Sequence, residues 1–126
     1  MVQAEISQLS GECNTWRDTL RSSRDEINQL KLQLEQAASQ LHSKEQLREV
    51  EHYHNQFHIQ LINVHDLKQS IKAHNRRVNF EMAAHGGQIN EDTIVEHEHL
   101  LDEFNALNHT LQELQKKFSD FLNRAS

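Results

Sequence analysis

Proline is absent from the sequence, and glycine occurs three times, at Gly11, Gly86 and Gly87. With so few breakers, little interrupts a helix once it has started. One cysteine, Cys13, cannot form an internal disulfide, and a cytoplasmic setting is the expectation. Aromatic residues make up 6% of the chain and apolar residues 36%. That suffices for a narrow seam of packed side chains but not for a wide globular core. Positive charge is also short: 13 Lys and Arg stand against 19 Asp and Glu. The longest basic runs are the pairs Arg76-Arg77 and Lys116-Lys117. A nucleic-acid partner needs clustered cations to displace counterions, so none is expected. No apolar run approaches the roughly 20 residues of a membrane span, and no signal-peptide core follows Met1, so no membrane partner is expected either.

What is present is a repeat. From Ile6 to Leu41 apolar residues recur in steps of three and four: Ile6, Leu9, Cys13, Trp16, Leu20, Ser23, Ile27, Leu30, Leu34, Ala37, Leu41. Only Ser23 is clearly polar. Arg17, Arg24 and Lys31 flank one side of this seam, and Glu5, Glu12 and Glu26 the other. Such spacing is that of a coiled-coil helix. A second run follows the same rule: Leu47, Val50, His54, Phe57, Leu61, Val64, Lys68, Ile71, Asn75, Val78, Met82. A third reads Thr93, His97, Leu100, Phe104, Leu107, Leu111, Leu114, Phe118, Phe121, Ala125.

Two breaks separate the runs. Between Leu41 and Leu47 the repeat loses one residue, and Ser43-Lys44-Glu45-Gln46 has the form of a capping box. Gly86-Gly87 is a strong helix stop, and Asn90 with Glu91 and Asp92 is a good helix start, with Ile89 placed to staple onto Ile94. The predicted helices span about 4–42, 44–84 and 91–123, in one domain covering 1–126. Folding the chain at the two breaks aligns Leu30 with Phe57 and Phe118, Ile27 with Leu61 and Leu114, Trp16 with Ile71 and Phe104, and Ile6 with Met82. Val78 falls level with His97, and Asn75 beside Cys13 and Leu100. The fold class expected is all-α: an antiparallel up-down-up three-helix coiled-coil bundle, a rod roughly 50–60 Å long. The competing architecture keeps the first two segments as one helix of roughly 120 Å and builds an elongated dimer. In length, and in placing Trp16 within its first helix, the bundle resembles a spectrin repeat. The third segment departs from that pattern in lacking a second tryptophan, and the resemblance assigns no residue a role.

Ten histidines invite a metal reading, because imidazole is a common ligand. Glu51-His52-Tyr53-His54 and Glu96-His97-Glu98-His99 both contain Glu-x-x-His, a unit of di-metal sites in four-helix bundles. In the folded rod the two motifs stand roughly 36 Å apart, too far to share an ion. His54 and His58, one turn apart, are a weaker chelating pair. His58 and His65 are placed on the flank facing the third helix, near Gln115 and Asn108. Glu51, His54, His58, Glu96 and His99 are thus candidates without a dedicated site, and no cofactor is expected. Cys13 has no histidine in its expected layer and reads as a small buried hydrophobe. Gly86-Gly87 follows a helix and not a strand, so it is no phosphate loop. The expectation is a non-enzymatic interaction, spacer or scaffold module. Its alternative is a histidine-dependent metal-binding bundle. Leu32, Ile59 and Ile62 fall outside the seams and mark a possible surface for a protein partner or a second copy.

Overall fold

The computed structural model describes residues 2–125, with side chains described over 8–125. Three long helices follow one another: α1 (Val2–Ala38), α2 (Lys44–Ala84) and α3 (Glu91–Ala125). They pack side by side as the up-down-up bundle, and α1 and α2 are separate helices rather than one continuous rod. The alignment of Ile6 with Met82 and the flank residue Glu5 fall outside the described side chains.

The α1–α2 corner forms without glycine or proline, by hydroxyls on both of its sides. Ser39 Oγ donates to the Gln36 carbonyl at 2.7 Å, taking an acceptor that the end of α1 would leave orphaned. Gln40 and Leu41 then close three-residue turns onto Ala37 and Ala38. On the far side, Ser43 Oγ accepts the Gln46 amide at 3.1 Å and donates to Gln46 Oε1 at 3.1 Å. This is a capping arrangement, and it starts α2 at the expected place. α1 ends four residues before the predicted boundary because the Ser39 turn intervenes.

The second corner uses glycine where the backbone demands it. Gly86 and Gly87 have φ of 63° and 92°, a region that L side chains rarely adopt. The Gly87 amide reaches back to the Met82 carbonyl at 2.9 Å, and the His85 amide to Glu81 at 2.9 Å. The Asn90 carbonyl accepts from Thr93 and Ile94, opening α3.

The interior is aromatic at the α1–α2 corner end. Phe57 and Phe118 meet edge to face at 5.0 Å between ring centroids, and Tyr53 touches Phe57, Phe118 and Phe121. Each such buried side chain stabilises by about 1.5–3 kcal/mol relative to exposure. Further along, Trp16 stacks on Phe104 at 5.8 Å, as the expected layer required. The seams of α1 and α3 are buried or half-buried throughout their described length.

α2 departs from its expected seam. Val50, Phe57, Val64, Ile71 and Val78 face inward as read. The other half of the interior is supplied by Tyr53, Gln60, Leu67, His74 and Glu81, each one residue before the expected position. His54 is exposed, and Leu47 and Met82 are largely so. The reason is that a helix packed against two neighbours buries a wide stripe, not a single two-position seam. Tyr53, His74 and Glu81 face α3, while Asn75 faces α1, where Ser10 Oγ donates to its Oδ1 at 3.2 Å. Leu61 and Lys68 are half-buried, and both lie beside Leu20 of α1. His65 lines the same α1-facing recess, so its expected place on the flank near α3 is corrected.

Candidate functional site

Toward the Gly86-Gly87 end the apolar core gives way to a chain of polar groups drawn from all three helices. Glu12 and Cys13 come from α1, His74, Arg77 and Glu81 from α2, and Thr93, Glu96 and His97 from α3. His97 Nε2 lies 2.7 Å from Glu12 Oε2. His97 Nδ1 lies 2.9 Å from His74 Nε2. His74 Nδ1 lies 2.5 Å from Glu96 Oε1. Glu96 is held from its other oxygen by Arg77 at 3.1 Å, and Arg77 continues to Glu81 at 2.9 Å. Glu81 closes the chain by accepting the Asn90 amide at 2.8 Å and the Thr93 hydroxyl at 2.6 Å.

The inner members are deeply buried: Cys13 is 0% exposed, His74 2% and His97 4%. The Trp16 ring lies over His97, centroids 4.7 Å apart, and walls the group from one side. One nitrogen from each imidazole and the Cys13 sulfur all lie within 4.8 Å of one another. Heptad geometry places them so: the three residues occupy inward positions of three different helices at one level of the rod.

This environment displaces the ionisation of its members. Burial pushes the Cys13 thiol up to about 11, helped by the neighbouring Glu12 charge and opposed by Arg17. Burial also pushes the His74 imidazole below its ordinary value, although Glu96 pulls the other way. The hydrogen bond from His97 holds the Glu12 carboxyl below the usual carboxylate range. Burial alone would raise Glu81, but Thr93, the Asn90 amide and Arg77 outweigh it and the net direction is down.

Of the candidates read from the sequence, the structure brings almost none together. Glu51, His54, His58 and His99 are exposed on the rod's surface. His99 pairs with Glu103 at 3.1 Å, a solvent-facing contact. Glu96 alone joins a cluster, and its histidine partner is His74 rather than His99. The expectation that Cys13 lacks a histidine neighbour is corrected, since both His74 and His97 reach it. His74 carries no motif. The signal that could have found it is the heptad Tyr53, Gln60, Leu67, His74, Glu81, which runs beside the brighter apolar one. Leu32, Ile59 and Ile62 are 51%, 45% and 47% exposed, outside the core as expected.

No family model matches the chain, and neither a curated protein nor a solved structure does. Among the described residues no helix is long and apolar enough to cross a membrane.

Proposed function

We propose that the chain is a non-enzymatic helical module that spaces or joins other proteins through its outer faces. The observation that supports this is the distribution of apolar side chains. Leu20, Phe57, Ile71, Phe118 and Phe121 fill the interior along the rod, while Leu32, Ile59 and Ile62 stand about half exposed on α1 and α2. Ile59 and Ile62 are three residues apart and share one face of α2. A macromolecular ligand would therefore meet the outside of the bundle, where apolar area remains to be covered. Two surface grooves of about 300 Å³ lie between α2 and α3, one passing His52 and His109 and the other Asp66 and Glu103.

The test replaces Leu32, Ile59 and Ile62 together by serine. Because they are exposed, the melting midpoint should hold within about 6 °C, on surface effects of under about 0.5 kcal/mol each. Self-association or crosslinks to a partner, mapped by mass spectrometry on the wild-type chain, should be lost in the variant. Wild-type protein that stays monomeric at high concentration and yields no crosslinks on these faces would contradict the proposal.

A further inference from the structure

We propose that Cys13, His74 and His97 form a binding site for a divalent cation of the zinc class, one ligand from each helix. The case rests on geometry: three buried donors from three helices converge, within a chain of hydrogen bonds from Glu12 through His97 and His74 to Glu96. Both outer ring nitrogens, His97 Nε2 and His74 Nδ1, face carboxylates at 2.7 and 2.5 Å. An ionised carboxylate only accepts, so each of those nitrogens carries its ring's proton. The inner nitrogens, His97 Nδ1 and His74 Nε2, are then both lone pairs, and they face each other at 2.9 Å. Three contacts in line need three protons, and two neutral imidazoles bring two. A third proton would place a full charge on a pair of rings only 2% and 4% exposed. A cation that accepts both lone pairs removes the conflict.

The third donor is already present. The Cys13 sulfur belongs to the same group, with all three ligand atoms within 4.8 Å of one another. A tetrahedral zinc with bonds near 2.0–2.3 Å sets its ligand atoms about 3.3–3.6 Å apart. Reaching that geometry requires the two inner nitrogens to part by a few tenths of an ångström and the Cys13 sulfur, within 4.8 Å of the ring nitrogens, to close onto them. The outer carboxylates become the groups that orient each metal-bound imidazole, the arrangement metal-ligating histidines usually show. Thiolate with two imidazoles suits zinc and cobalt and disfavours magnesium and calcium, which prefer oxygen. The thiol proton leaves on binding, so one proton is released from sulfur per ion bound. Because the ligands come from α1, α2 and α3, the ion would staple the three helices near the Gly86-Gly87 end. This site shares none of its ligands with the exposed His54–His58 pair.

The test titrates the full chain, reduced and freed of metal by a chelator, first with cobalt and then with zinc. The expected result is one cobalt per chain, with a thiolate-to-cobalt charge-transfer band and the intense visible bands of a tetrahedral ion, both erased by one equivalent of zinc. Zinc should raise the melting midpoint by several degrees, reversed by chelator. Cys13→Ser should remove the charge-transfer band and weaken zinc at least tenfold, and Glu12→Gln or Glu96→Gln should weaken it by 10- to 100-fold. The His54→Gln/His58→Gln double variant should change none of these. Since Cys13 is the sole cysteine, the wild-type band alone assigns the sulfur ligand even where Cys13→Ser folds poorly. Sub-stoichiometric cobalt, or binding without a charge-transfer band, would overturn the proposal.

Discussion

Nε2 of His74 lies 2.9 Å from Nδ1 of His97, joining α2 to α3 inside the bundle. Each ring is anchored by a carboxylate at its far side, so the two histidines act as one unit. Residues in one buried network couple by about 0.5–3 kcal/mol in double-mutant cycles. In chelator, His74→Ala and His97→Ala should each destabilise by about 2–4 kcal/mol, through a cavity and the lost hydrogen bond to Glu96 or Glu12. The double variant should depart clearly from the sum. Additive losses in denaturant titrations would mean the rings are independent.

Glu81 fastens the start of α3 to the end of α2. It takes three hydrogen bonds, from Arg77, the Asn90 amide and Thr93. Its folded pKa is lowered, so its stabilisation is present above the unfolded value of about 4.3 and is lost as pH falls through the folded value. The facing groups are Arg77 on its own helix, Thr93 on α3 and Asn90 just before it, with Asp92 and Glu96 acting on Arg77. Glu81→Gln should be less stable than wild type at pH 7 by about 1–3 kcal/mol. Below pH 4 the gap should narrow. Parallel stability curves for the two proteins from pH 7 to pH 3 would show that the Glu81 charge is not what matters.

The seams of α1 and α3 and both corners were legible in the sequence, because there apolar spacing and capping residues agree. α2 was legible by half. Val50, Phe57, Val64, Ile71 and Val78 stand out by apolarity, but the companion positions carry Gln60, His74 and Glu81, which a hydrophobic criterion rejects. His74 and Glu81 are buried because α3 and the turn before it offer them partners: His97 and Glu96 for His74, Thr93 and Asn90 for Glu81. Such pairing depends on a second helix far away in sequence. The candidate site was hidden for the same reason, since Cys13, His74 and His97 converge only after two reversals of the chain.

The phasing of α2 can be checked with two adjacent residues. Tyr53 is buried among Phe57, Phe118 and Phe121, and its hydroxyl donates to the Lys117 carbonyl at 3.1 Å. His54, next to it, is exposed. Tyr53→Ala should cost about 3–5 kcal/mol, like other aromatic truncations, and His54→Ala less than about 0.5 kcal/mol. The reverse order in thermal or urea unfolding would restore the seam read from apolar spacing.

Gly11 sits inside α1 on the exposed side, and a Cβ there meets nothing within 4 Å. Its backbone is not in the left-handed region, so alanine fits without strain. Gly11→Ala should stabilise by about 0.5–1 kcal/mol through helix propensity. A loss of stability in urea unfolding would place an unseen contact at this face.

The most direct test of the closed bundle is small-angle scattering on an absolute mass scale. The longest helix has 41 residues, about 60 Å at 1.5 Å per residue. Two reversals of the chain therefore require particles with a longest dimension near about 60–70 Å. A dimer longer than about 100 Å would contradict the corner at Ser39–Ser43 and restore one continuous helix through α1 and α2.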